Sequence, residues 1–218
     1  MYSEKSQQYF GQTRLDFIEL ISSLSLNSFK NVLDIGCGSC ETMIYMKEKG
    51  LATRVEGVEL CSIPNSNQGN VLVDKLNIGE VDFVLESISN KFDLILFLDV
   101  LEHLVDPWST VMQASHVLDS GGYIIISCPN IREIKNWFRI FFKGSFKYED
   151  AGIMDKTHLR FFAPKDLKNL LPSMIFQQAK LFPNYKMAPN RGKFRFIHLK
   201  CLDEFFAPQY FLVAKKAN

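Results

Sequence analysis

The stretch Asn31-Val32-Leu33-Asp34-Ile35-Gly36-Cys37-Gly38-Ser39-Cys40 decides how this chain is read. An apolar strand runs into a carboxylate and then into two glycines one residue apart. Glycine has no Cβ, so it takes positive φ freely and lets a ligand approach the main chain. The carboxylate just ahead of the glycines places a negative charge at the same point. That order suits a nucleoside-type ligand with a positive group, seated at the carboxyl end of a parallel strand.

Outward from this loop, strand and helix alternate. Leu15, Ile18, Leu20, Ile21 and Leu24 have helical spacing and predict a helix over 15–26. Strands are predicted at 32–35, 54–58, 76–78, 93–98 and 123–128, and helices at 41–49 and 107–118. Pro107 stands in the first turn of the last of these and Gly121-Gly122 follows it, the expected order of start and stop signals. Residues 64–75 predict a weak helix at best. The apolar runs 94–100 and 123–128 are too short to span a bilayer and read as buried parallel strands. Such alternation predicts an α/β architecture with helices on both faces of a parallel sheet.

After Pro129 the pattern changes. A basic-aromatic helix is predicted at 131–142, a polar loop at 143–156, a helix at 166–171, and closing strands at 175–182 and 210–214. An aromatic and basic helix is predicted within 191–204. With no repeat or linker, residues 1–218 read as one domain. Its binding core is 31–130, and 131–205 form a lid and insertions on the substrate side.

The net charge of +1 gives no electrostatic case for a duplex nucleic-acid partner. The five cysteines are odd in number and scattered. Cys37 and Cys40 form a C-x-x-C without a second pair, inside the glycine loop, and read as small loop residues rather than a zinc or redox site. Residues 1–16 are polar and mixed, which predicts no secretory signal. Reduced thiols fit a cytoplasmic setting.

Four predicted strand ends carry acids or glycines. Asp34, Gly36 and Gly38 follow the first, Glu59 ends the second, Gly79-Glu80 and Asp82 follow the third, and Asp99-Val100-Leu101-Glu102-His103 follow the fourth. Glu59 lies 23 residues beyond Gly36 (59 − 36), a spacing suited to a carboxylate gripping both ribose hydroxyls.

Together, Val32-Leu33-Asp34-Ile35-Gly36-Cys37-Gly38, Val58-Glu59, Phe92-Asp93-Leu94-Ile95, Asp99-Val100-Leu101-Glu102-His103-Leu104 and Leu118-Asp119-Ser120-Gly121-Gly122 resemble a class I S-adenosylmethionine-dependent methyltransferase, in order across residues 31–130. The resemblance implies a Rossmann-like fold with a mostly parallel seven-stranded sheet, helices on both faces and a C-terminal lid or insertion. It implies S-adenosylmethionine as cofactor and S-adenosylhomocysteine as product. Gly36 and Gly38 would pass under the methionine part, with Cys37 between them in the same binding loop. Asp34 would act near the sulfonium and amino group. Glu59 would bind the ribose, with Leu60 beside it. Glu80 would reach the adenine amino group, with Asp82 competing. Asp99, Val100 and His103 would flank the cofactor from the opposite side. The chain departs from the family pattern at Cys40, where a third glycine is common. It also departs at Glu80, where Asp is more usual, and at Ser62-Ile63-Pro64-Asn65-Ser66-Asn67, which replaces a helix-forming stretch.

A later segment, Asp155-Lys156-Thr157-His158-Leu159-Arg160-Phe161-Phe162, resembles a subgroup found with bacterial cell-surface polysaccharide biosynthesis. That points to O-methylation of a small or glycan-like acceptor, a small molecule or a glycan or lipid-linked sugar. Methyl transfer needs alignment and, for a hydroxyl, a general base. His158, His103, Asp155 and Glu102 are the candidate bases. Arg160 would bind a phosphate or carboxylate, or pair with Asp155 or Asp150. Phe161 and Phe162 read as packing. His103 and His158 each have a structural reading as well, as groups that cap or pack their loops. No metal site is assigned, although Asp99, Glu102, His103 and His158 are oxygen and imidazole groups of the kind that bind magnesium or manganese.

In the helix at 131–142, Arg132, Lys135, Arg139 and Lys143 alternate with Ile134, Trp137, Phe138, Phe141 and Phe142. Peripheral membrane contact through 131–143 is one reading. A lid with its apolar face on the substrate pocket is the favoured one. Two other functions fit a glycine loop with an acid after the second strand: a nicotinamide-dependent oxidoreductase and a non-catalytic scaffold subunit.

Overall fold

The computed structural model describes residues 11–186 and 203–218. Seven strands form one sheet: β1 (Phe29–Ile35), β2 (Ala52–Glu59), β3 (Lys75–Ile78), β4 (Phe92–Leu98), β5 (Leu118–Pro129), β6 (Phe176–Asn184) and β7 (Gln209–Lys216). Their order across the sheet is β3-β2-β1-β4-β5-β7-β6. The first five run parallel, and β7 pairs antiparallel with both β5 and β6. This is the Rossmann-like class I arrangement that the resemblance implied. The order reverses between β1 and β4, which opens a crevice at their carboxyl ends.

The strand sequences explain the layering. Leu94, Ile95, Leu96 and Phe97 of β4 are all fully buried. Successive side chains point to opposite faces. Val32, Leu94 and Leu96 therefore join one core with helices α1 (Leu15–Ser23) and α2 (Glu41–Glu48), through Phe17, Ile21 and Met43. Leu33, Ile95 and Phe97 join the other with α3 (Val81–Ser87), α4 (Pro107–Val117) and α6 (Pro164–Asn169), through Val84, Val111 and Leu167. Removing one such buried side chain to Ala costs about 2–5 kcal/mol.

Several elements differ from expectation. α3 was not anticipated; it is short, buries Val84 and Leu85, and leaves Phe83 exposed. Residues 64–75 hold no α-helix, only the 3-10 turn Asn67–Gly69 before β3 begins at Lys75, and Asn65 at φ +54 breaks the chain direction ahead of that turn. β5 begins at Leu118, directly after α4, and runs through Gly121-Gly122 rather than following them. Gly122 is required there, since a Cβ would sit 2.9 Å from Leu118 Cδ1 and 3.0 Å from Asp119 O. α5 (Ile134–Lys143) starts later than predicted because the backbone of Asn130 and Ile131 is spent on Pro208 and Phe162. Of the helix expected within 191–204, residues 191–202 lie outside the described residues; Asp203–Phe206 form α7. Among the described residues, no helix is long and apolar enough to cross a membrane.

Candidate functional site

The carboxyl ends of β1, β2 and β4 open on one cavity of about 430 Å³, within the size range of small-molecule sites. The glycine loop forms its floor. Gly36 takes φ +69, and a Cβ on it would lie 2.4 Å from Val100 Cγ2. Gly38 also takes positive φ. Cys40, in the third-glycine position, adopts φ +68 at the start of α2, so the loop keeps the left-handed turn without the glycine. Cys37 and Cys40 place their Sγ atoms 3.8 Å apart. The absent side chain of Gly57 on β2 makes room for Cys37, since a Cβ there would sit 2.7 Å from its Sγ. The hydrogen bond with Cys40 and burial push the Cys37 thiol up, so it stays protonated and packs as a small neutral group.

Two carboxylates stand over this floor. Glu59 Oε2 accepts from the Gly38 N–H at 2.7 Å and Oε1 from the Leu60 N–H at 2.9 Å. Both oxygens are oriented by main chain, and each keeps a further lone pair. Asp34 is buried, and its carboxyl is pushed up to about 7 by burial and by the Glu59 charge, against the opposing pull of Arg14. A ligand with a positive group would relieve this pair, as the loop's lack of side chains would admit it.

Arg14, which sequence reasoning missed, closes the far wall. Its Nη1 donates to Asp99 Oδ2 at 2.8 Å, Nε and Nη2 to Asp16, and Nη2 to Gln209 Oε1 at 3.2 Å. Asp99 sits at φ +62, and its Oδ1 accepts from Ser127 Oγ and Gln209 Nε2. The Asp99 carboxylate is therefore engaged by protein, and Asp99 and Val100 both line the cavity. No local pattern marks Arg14, which lies 85 residues from Asp99.

The acceptor side comes from the later half of the chain. The Glu102 carbonyl accepts from Leu159 N–H at 2.7 Å and Arg160 N–H at 3.0 Å. This fastens the 155–162 segment onto the turn after β4. His103 Nδ1 meets Thr157 O at 3.2 Å, and His158 Nδ1 meets Ile153 O at 3.0 Å. A carbonyl only accepts, so each Nδ1 carries the proton and Nε2 is the basic nitrogen. The two rings meet edge to face at 4.8 Å between centroids. Burial, and then the neighbouring His158, hold His103 below the usual imidazole range, so it is neutral and basic at neutral pH. Asp155 Oδ1 accepts from the Thr157 N–H and Oγ1, which sets the turn that presents His158. Glu102 is buried, and its Oε1 has no hydrogen-bond partner among the described residues. Burial, and then the Asp99 charge, push it well up. Glu102, His103 and His158 bring ligand-type atoms within 4.8 Å of one another. Asp99 is outside this group.

Other candidates lie elsewhere. Arg160 donates to the carbonyls of Val105 and Leu159 and lies outside the cavity lining; it pairs with neither Asp155 nor Asp150, and Asp150 instead meets Lys156. Leu60 is half exposed beyond Glu59, and Glu80 is exposed at the start of α3, so neither lines the cavity. Asp82 accepts from Thr110 Oγ1 and ties α3 to α4. The 62–67 stretch is irregular but anchored by its neighbour Gln68, whose Nε2 donates to Gly38 O at 2.9 Å. Phe162 is buried against Trp108, and Phe161 faces Phe146 and His158.

A family model described as a methyltransferase domain matches residues 8–174. Among curated proteins, the chain is 27% identical over 143 residues to a ubiquinone biosynthesis O-methyltransferase of Serratia proteamaculans, covering 63% of this chain and 58% of that one. It is 30% identical over 165 residues to the protein of the same name from Bartonella quintana, covering 68% and 61%. The chain thus spans under two thirds of the length of these relatives. Among solved structures, a SAM-dependent methyltransferase from Archaeoglobus fulgidus superposes with a TM-score of 0.64 at 20% identity, over 96% of this chain and 97% of that one.

Proposed function

The chain belongs to the methyltransferase-domain family, and from that membership we propose that it transfers the methyl group of S-adenosylmethionine to a hydroxyl. One observation carries the hydroxyl reading: two imidazoles share the cavity, each with Nδ1 tied to a backbone carbonyl and so with Nε2 as its basic nitrogen. A hydroxyl must lose its proton as it attacks, whereas many other nucleophiles need no base. The names of the relatives, O-methyltransferases, support the same choice.

When bound, S-adenosylmethionine supplies a methyl group already activated by its sulfonium. The chain's residues do the rest. Gly36 and Gly38 leave the main chain bare for close approach. Glu59, fixed by two amides, offers its remaining lone pairs to the ribose hydroxyls. Asp34 meets positive charge, and Arg14, the one arginine or lysine lining the cavity among the described residues, suits a carboxylate. His103 or His158 takes the proton at Nε2. Asp155 and the Glu102 carbonyl hold the imidazoles in place and act as positioning groups.

The acceptor we favour is small or glycan-like and carried on a lipid, following the likeness of residues 155–162 to polysaccharide-associated methyltransferases. The site would work in the cytoplasm, where the adjacent thiols stay reduced. Asp34 ahead of the glycines and Cys40 in place of the third weigh against a nicotinamide enzyme, as does the imidazole pair. Titration calorimetry with S-adenosylmethionine, S-adenosylhomocysteine and NAD tests the proposal. We expect micromolar binding of the first two. Binding of NAD alone, or of none, overturns it.

A further inference from the structure

Helix α5 is inside out. At about 100° per residue, Trp137, Phe141, Ile134, Phe138 and Phe142 occupy an arc of about 140°. An amphipathic helix ordinarily turns such an arc into its own protein. Here Asn136, on the opposite side, is the buried residue, and its Nδ2 has no hydrogen-bond partner among the described residues. The aromatic arc faces outward, with Phe141 68% and Phe142 78% exposed. The rings are already ordered along the helix: Trp137 stacks on Phe141 at 5.0 Å, and Phe138 meets Phe142 at 4.9 Å. The expected lid, with this whole face on the pocket, is not what the helix forms: only Ile134 and Phe138 of the arc reach the groove beside it, among Glu133, Lys135, Asn136 and Arg139, while Phe141 and Phe142 stay exposed.

The charges around the arc choose the occupant. Lys135 borders the arc beside Phe142, Arg139 and the exposed Lys143 stand successively further round the helix, Lys147 follows, and no acid lies between Ile134 and Lys143. Arg139 pairs with Glu149, and the preceding Glu133 is buried. A second copy of this face would bring lysines against lysines. Residues 187–202 contain Arg191, Lys193, Arg195 and Lys200 and no acid, so they too bring like charge. An apolar interior behind a negative surface complements both the rings and the lysines. That combination is an anionic lipid interface, where Trp and Phe settle at headgroup depth.

We propose that α5 docks the protein on an anionic phospholipid surface. Ile153 lines both the main cavity and the groove under α5. Docking therefore holds the cavity mouth beside the bilayer, where a lipid-borne hydroxyl acceptor would enter. Only this last clause rests on the methyl-transfer reading; the docking itself does not.

The test is co-sedimentation of the full chain with vesicles of phosphatidylcholine alone or with part of it replaced by phosphatidylglycerol. We expect binding to the second kind, weakened by salt. Lys135→Gln and Lys143→Gln should each weaken it by about fivefold. Phe141→Ser with Phe142→Ser, both on exposed rings, should abolish it while circular dichroism and S-adenosylhomocysteine binding stay unchanged. Failure of the wild type to bind, or binding indifferent to the double variant, overturns the proposal. So does a dimer in sedimentation equilibrium that the double variant dissolves, which would assign the face to a second copy. Vesicle binding without any S-adenosylhomocysteine binding would keep the docking and remove the methyl-transfer reading.

Discussion

The two walls of the cavity are built by different means. The wall from β1, β2 and β4 is made of strand ends and tight loops, with two of its carboxylates fixed by hydrogen bonds, Glu59 by two amides and Asp99 by Arg14. The wall from residues 151–158 is a long loop without helix or strand, laid across the first wall and fastened by the Glu102 carbonyl and the ring contact of His103 with His158. The first wall suits an invariant ligand. The second is a surface that a change of loop can re-aim without touching the sheet. Substitutions should therefore separate: one wall governs cofactor affinity, the other governs rate.

The largest separation is expected at the imidazoles. Replacing the catalytic base lowers kcat by about 10²–10⁴-fold. We expect that loss from His103→Ala or His158→Ala with S-adenosylhomocysteine affinity unchanged by calorimetry. Because His103 is held below the usual imidazole range by burial and by His158, the acid limb of its kcat profile should lie below that of an ordinary histidine. Equal loss of affinity and rate would erase the distinction between the walls.

Glu59→Ala is next. Charged hydrogen bonds contribute about 1.5–3 kcal/mol each, so losing two weakens S-adenosylhomocysteine by at least about a hundredfold. The Gly38 and Leu60 amides also lose their acceptor, so some stability should go as well, measurable as a lower Tm. Glu59→Gln, whose single oxygen can serve only one of the two amides while its NH2 faces the other, should recover part of the Tm and less of the affinity.

Asp34 gives the smallest and most diagnostic effect. With its carboxyl at about 7 in the fold against 3.8 unfolded, the native state holds the proton more tightly. Its contribution to stability is complete below the unfolded value and disappears as pH rises through about 7. Asp34→Asn should therefore raise Tm more at pH above this point than at acid pH, while weakening cofactor binding. The wild type should bind cofactor more tightly as pH rises through the same range, as the ionised form becomes available. An affinity flat with pH would mean that Asp34 meets no positive group.

The first wall was largely legible because its groups follow strand ends in the chain. Asp34, Gly36, Gly38 and Glu59 are each within a few residues of an apolar run, so periodicity places them. Arg14 and Gln209 were illegible because their roles exist only through partners brought in by the sheet. α3 was missed because Phe83, apolar but exposed, spoils its spacing. α5 was read as amphipathic, but periodicity gives a face and not the direction in which it turns. Arg160 and Glu80 were placed by motif, and the backbone turned both away from the cavity.

Arg14 joins Asp99 at the end of a parallel strand to Gln209 at the start of the last one. A chain still being synthesised cannot make this clasp until β7 has emerged and paired. A chain cut before Gln209 would keep the pairing of Arg14 with Asp16 and Asp99 and lose its third partner together with β7.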